Sequence, residues 1–125
     1  MSITLPVSLQ SILTVGGITQ EADNFAAITG VSVDYVSKTL TFNVQQGTTL
    51  GQSFSAGQYP PSYIFHINLI TGVWRVDGSA LAGTLSGASL TNLQTIFLNL
   101  RNTGETFVSN QNLFPGATQV AWTSI

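Results

Sequence analysis

Residues 31–44 read Val-Ser-Val-Asp-Tyr-Val-Ser-Lys-Thr-Leu-Thr-Phe-Asn-Val. Apolar side chains take every second position from Val31 to Tyr35 and again from Leu40 to Val44. Strand side chains alternate between faces with period two, so each half has the pattern of a half-buried β-strand. With Ser37-Lys38 as a two-residue loop, Tyr35 opposes Leu40, Val33 opposes Phe42 and Val31 opposes Val44 on one face. Asp34 meets Thr41, and Ser32 meets Asn43, on the other. A slip of one residue would exchange the faces. The expectation is a hairpin with Val33 opposite Phe42.

The same construction extends to residues 63–78, with Thr71-Gly72 as the loop. It pairs Leu69 with Trp74 and Ile67 with Val76 on an apolar face. Asn68 then meets Arg75, and His66 meets Asp77, on a polar one. Gly72 suits the positive φ of a tight turn. Shorter strands are expected at Ser11–Val15, Thr95–Arg101, Thr106–Val108 and Gln119–Thr123. Asn102-Thr103-Gly104-Glu105 reads as a turn between the second and third of these. Helical turns are expected at Gln20–Ile28, where Glu21 and Asp23 suit a helix start. They are expected also at Ser89–Phe97, where Leu90, Leu93 and Phe97 have helical spacing and Ser89 or Thr91 supplies a cap. Turn residues recur about every ten positions, as in sandwiches and barrels. The fold class expected is all-β: one domain over residues 1–125, an antiparallel β-sandwich or small barrel of about seven to eight strands, with at most short helical turns.

Composition narrows function. The chain has 125 residues, 43% of them apolar, and no cysteine, so disulfides and thiolate chemistry are excluded. Charged residues make up 6%, against roughly 25% in an ordinary soluble protein. They are Glu21, Asp23, Asp34, Lys38, Arg75, Asp77, Arg101 and Glu105. Ser, Thr, Asn and Gln together number 46, so hydroxyls and amides coat the surface. Such a surface offers little repulsion between copies and favours association. The net charge of −2 argues against nucleic acid, which calls for clustered Lys and Arg. No apolar run approaches the ~18 residues that span a bilayer. The opening Met1-Ser2-Ile3-Thr4-Leu5-Pro6 lacks the pattern of a secretory signal.

Candidate chemistry is sparse. His66 is the sole histidine, and the register sets it opposite Asp77. A His–Asp couple is part of a catalytic triad, but no serine lies in a Gly-x-Ser-x-Gly setting. The couple therefore reads as a cross-strand surface contact. Glu21 and Asp23 lack the company of a calcium loop, and no glycine-rich phosphate motif occurs. The expectation is no enzyme, no cofactor and no metal site. His66, Asn68, Arg75 and Asp77 group on one polar face in a chain with few charges, which marks that face as a candidate contact surface. Arg75 suits it, because arginine is enriched at interfaces. Tyr59, Tyr63 and Trp74 form an alternative candidate, an aromatic platform for a sugar or peptide. Tyr59-Pro60-Pro61-Ser62-Tyr63 reads structurally as a stiffened strand entry. The alternating runs Ile3-Leu5-Val7-Leu9 and Val120-Trp122-Ile125 are each suited to adding an edge strand to a neighbour.

Val31–Val44, Ile70–Gly78 (ITGVWRVDG) and the small-residue loop from Ser79 to Ser89 carry a resemblance. With Thr-Gly-x-Trp turns and Ser/Thr/Gly-rich loops between strands, the chain resembles small phage virion structural proteins, namely capsid cement or decoration proteins and accessory tail proteins. It resembles equally the β-domains of lectins and viral attachment proteins. The first resemblance implies a homo-oligomer, favouring a trimer, that contacts other virion proteins such as the major capsid protein. It implies location in the virion, with no nucleic acid or membrane partner. The second implies a carbohydrate- or receptor-binding β-domain. Neither assigns a role to an individual residue.

Overall fold

The computed structural model describes residues 3–6, 11–15, 18–23, 25–47 and 62–125. In chain order it contains β1 (Ile3–Thr4), β2 (Ser11–Val15), β3 (Ile18–Asp23), β4 (Phe25–Asp34), β5 (Thr39–Gly47), β6 (Ser62–Asn68), β7 (Val73–Val76), β8 (Ala82–Thr84) and α1 (Gly87–Ser109). Six strands form one curled antiparallel sheet, a half-barrel in the order β1-β4-β5-β6-β7-β8. The strands β2 and β3 pair separately. The chain is mostly antiparallel β, as expected, but it is neither a sandwich nor a barrel of seven to eight strands. A single sheet carries a helix of 23 residues where at most short helical turns were expected.

Both hairpins form, each with its register moved by two residues. Val33 pairs with Leu40 and Val31 with Phe42, so the expected Val33–Phe42 pairing is wrong. Likewise Ile67 pairs with Trp74 and His66 with Arg75, in place of Ile67–Val76 and His66–Asp77. The cause is the same side-chain device in both loops. The Asp34 carboxylate accepts from the N–H groups of Val36 and Ser37 at 2.9 and 3.1 Å. The Asn68 carbonyl oxygen accepts from those of Ile70 and Thr71 at 2.9 and 3.2 Å. Each such Asx turn draws two more residues into the loop. Both loops therefore hold four residues and close on a left-handed one, Lys38 at φ 59° and Gly72 at φ 78°. A shift of two conserves the faces, so the apolar and polar sides are as the sequence implies.

The apolar side is built in rows across the sheet. Val33, Leu40, Ile67 and Trp74 share one level, and Val31, Phe42, Phe65 and Val76 the next. Gly83 stands beside Trp74, and a Cβ there would meet the indole at 2.8 Å. Trp74 therefore lies over a residue with no side chain. The two hairpin tips are joined by a bond from Leu69 N–H to Lys38 O at 2.9 Å.

The tips seat the helix. Phe97, 1% exposed, packs with Leu40, Ile67 and the fully buried Leu69. The Tyr35 ring lies 4.4 Å from the Phe97 ring, centre to centre. Burying side chains of this kind contributes about 1.5–3 kcal/mol each. Polar groups at the seam are matched as well. The Tyr35 hydroxyl donates to Phe97 O at 3.1 Å, and Gln94 Nε2 donates to Leu69 O at 2.7 Å.

The helix extends the Leu90-Leu93-Phe97 spacing far beyond the two turns expected. Thr95–Arg101 and Thr106–Val108 are helical rather than strands, and Asn102–Glu105 is helical rather than a turn. Thr91, Thr95 and Thr106 direct their hydroxyls to the carbonyls four residues back, which accommodates β-propensity residues in a helix. Ser86, not Ser89 or Thr91, stands at the N-cap, with extended backbone and no side-chain cap bond. Of the stretch expected to be helical, residues 20–23 belong to β3 and 25–28 to β4. Gln119–Thr123 is irregular rather than a strand. Ser11–Val15 is a strand, as expected.

Candidate functional site

The polar side of the sheet carries the row Ser32, Thr41, His66, Arg75 and Ala82. Asp77 lies just beyond β7, where its N–H donates to Ile64 O at 3.0 Å. From there its carboxylate reaches back diagonally. Oδ2 lies 2.9 Å from His66 Nε2, and Oδ1 accepts from the Arg75 guanidinium at 2.6 Å. The His66 contact is close but poorly aligned for the ring N–H. Thr41 Oγ1 stands 3.3 Å from the other ring nitrogen, Nδ1. The structure thus brings His66, Arg75 and Asp77 together, though not through the expected pairs. Asn68 is set apart, at the loop, where its side chain shapes the turn.

The Asp77 carboxyl is held below the usual carboxylate value, first by His66, against the opposing effect of burial, and then by Arg75. What the arrangement does is join β6 to the end of β7 through His66, Arg75 and Asp77, with Thr41 of β5 against the imidazole. A concavity of about 410 Å³ beside it is lined by Thr39, His66, Asn68, Arg75 and Trp74, among others. Among the described residues, no three His, Asp or Glu side chains converge as a metal site would require.

The aromatic candidates are dispersed. Tyr59, with Pro60 and Pro61, lies outside the described residues. Tyr63 is exposed, on β6. Trp74 packs inward against the core, with the Phe65 ring 6.1 Å away. Trp74 pairs with Ile67, four residues along β6 from Tyr63, which is about 13 Å of strand. Of the edge-strand candidates, Ile3 lies in β1 and pairs with Ala26 of β4. Val7 and Leu9 lie outside the described residues. Val120, Trp122 and Ile125 lie in no strand.

Two features of α1 were not legible as a site. The first is an exposed apolar stripe of Ile96, Leu100 and Phe107, at 60%, 54% and 65% exposure. At 3.6 residues per turn the three fall within about 40° of one another and span about 16 Å. The charged residues of α1, Arg101 and Glu105, lie on another side of it. The second feature is a clasp on that side. Asn102 Nδ2 donates to Trp122 O at 2.9 Å, while its Oδ1 accepts from Trp122 N–H at 2.8 Å. The Trp122 indole N–H donates to Glu105 Oε1 at 2.8 Å. The Arg101 guanidinium stands 3.7 Å from the centre of the Trp122 ring and 5.0 Å from that of Tyr35. Gln119 Nε2 donates to Asn102 Oδ1 at 3.1 Å. The apolar spacing from Ile96 to Phe107 was the signal available for the stripe. Nothing in the local pattern announces the clasp, because its halves lie about twenty residues apart.

No helix among the described residues is long and apolar enough to cross a membrane. Compared with protein-family models, curated proteins and solved structures, the chain matches none.

Proposed function

We propose that the protein is a non-enzymatic structural component of a viral particle, a phage capsid cement or decoration protein that stabilises the shell as a homo-oligomer. The observation that carries this reading is the uncharged apolar stripe Ile96-Leu100-Phe107, left in water by its own fold. Exposed apolar side chains grouped on one face of an element mark interaction sites. Here it occurs in a chain with eight charged side chains in all, so little repulsion opposes the approach of a second copy. A trimer is the favoured assembly, with the major capsid protein as the other partner. The row of His66, Arg75 and Asp77 supplies polar contacts on a second side. Antibodies against the chain should label purified virions in immunogold electron microscopy. Labelling confined to free protein, with bare particles, overturns the virion assignment. If a glycan array instead gives hits that Tyr63→Ala abolishes, the alternative of a carbohydrate-binding domain takes its place.

A further inference from the structure

The C-terminal segment is joined to the rest of the molecule in an unusual way. Residues 117–125 form no strand or helix. Side chains of α1 hold them instead, with Asn102 gripping both main-chain groups of Trp122. Glu105 and Arg101 hold its indole. The far end, Ile125, packs against the core cluster. The turns between Asn110 and Gly116 fold this arm back onto its own helix. In Phe114-Pro115-Gly116-Ala117 the N–H of Ala117 donates to Phe114 O at 3.0 Å, and Gly116 has φ 77°. Around this hinge the fold leaves Leu113, Phe114 and Val120 exposed, at 76%, 54% and 84%.

We propose that the arm 117–125 is exchanged between copies, so that the clasp on α1 of one chain receives Gln119 and Trp122 of a second. Exchange conserves every clasp contact, because the same groups meet in the same geometry. The balance between the closed and exchanged forms is then set by the hinge turn, by concentration and by whatever new contacts form. The new contacts are on hand: a straightened hinge carries Leu113 and Phe114, both exposed in the closed form, across to the neighbouring chain. This inference rests on the self-association proposed above and adds to the stripe a second contact between copies, on the clasp side of α1.

The chain has no cysteine, so introduced thiols report unambiguously. Ser109 and Thr118 line one small surface concavity together with Gln119 and Val120. Full-length Ser109→Cys and Thr118→Cys chains with different affinity tags are co-expressed, co-purified and treated with a short bis-maleimide. The expected result is a cross-linked pair containing one chain of each kind. A four-residue Gly-Ser insertion after Gly116 lengthens the hinge and favours the closed form, so the mixed product should fall severalfold while circular dichroism matches the wild type. Tags that co-purify without a mixed cross-link, while a chain carrying both Ser109→Cys and Thr118→Cys links internally, overturn arm exchange and leave self-association standing. A mixed product unaffected by the insertion also overturns the exchange. Tags that do not co-purify at all overturn both.

Discussion

Gly72 is where the hairpin, the sheet edge and the start of α1 meet, and Gly72→Ala tests that junction. Its N–H donates to Asn68 O at 2.7 Å and its carbonyl accepts from Leu85 N–H at 2.8 Å. At φ 78°, an added Cβ would run into Leu85 O and lie 3.3 Å from Leu90 Cδ2. Left-handed backbone costs a residue with a Cβ about 1–2 kcal/mol. Relieving the contact with Leu85 sacrifices a backbone hydrogen bond, about 1 kcal/mol more. A less flexible unfolded chain offsets about 0.5 kcal/mol or a little more. The net loss is about 1.5–2.5 kcal/mol, read as a lower urea midpoint at unchanged slope. Two other glycines calibrate it. Gly78 has φ 70° with nothing within 4 Å of a Cβ, so Gly78→Ala carries only the conformational cost. Gly104, inside α1, is equally open, so Gly104→Ala should stabilise by about 0.5–1 kcal/mol. If Gly72→Ala costs no more than Gly78→Ala, the chain after β8 is not seated as described. If Gly104→Ala destabilises, residue 104 is not helical.

Phe97→Ala should cost about 3–5 kcal/mol and release α1 from the hairpin tips, seen as lost helical circular dichroism well below the wild-type midpoint. A loss under about 1 kcal/mol would mean that the tips do not seat the helix. The carboxyls of Asp34 and Asp77 are both held below the usual value, Asp34 by the N–H groups of Ser37 and then Val36, and Asp77 first by His66. Depressed folded values stabilise above the unfolded pKa of about 3.9, and that stability is lost as pH falls through the folded values. Urea midpoints should therefore decline below about pH 4. Asp34→Asn should flatten part of the slope yet keep the turn, because Asn68 makes the same bonds in the sister loop. An identical slope in that variant contradicts the assignment.

The sequence exposed the faces of the sheet more faithfully than its registers. Alternation from Val31 to Val44 reports parity, and parity survives a shift of two. The number of residues in each loop depends on whether Asp34 and Asn68 turn their side chains onto the backbone, and an Asx residue at a strand end is compatible with either outcome. The helix failed for a different reason. Thr95–Arg101 is rich in residues that favour strands, and Asn102-Thr103-Gly104 has turn composition, so local preference opposed what Phe97 gains by packing between Tyr35 and Leu69. Tertiary burial decided the contest. The cluster of His66, Arg75 and Asp77 was legible because it needed only the correct face, with a diagonal reach standing in for the direct pair. The clasp on Trp122 was invisible to any reading of neighbours along the chain.

Self-association through α1 is the central claim, and sedimentation velocity of the wild-type chain over a range of concentrations tests it most directly. The account predicts reversible growth beyond the 13.2 kDa chain, with the Ile96→Ser, Leu100→Ser and Phe107→Ser triple variant needing at least about tenfold more protein for the same degree of association. A wild-type chain that sediments as a monomer at every concentration, or a triple variant that associates as readily as the wild type, contradicts it.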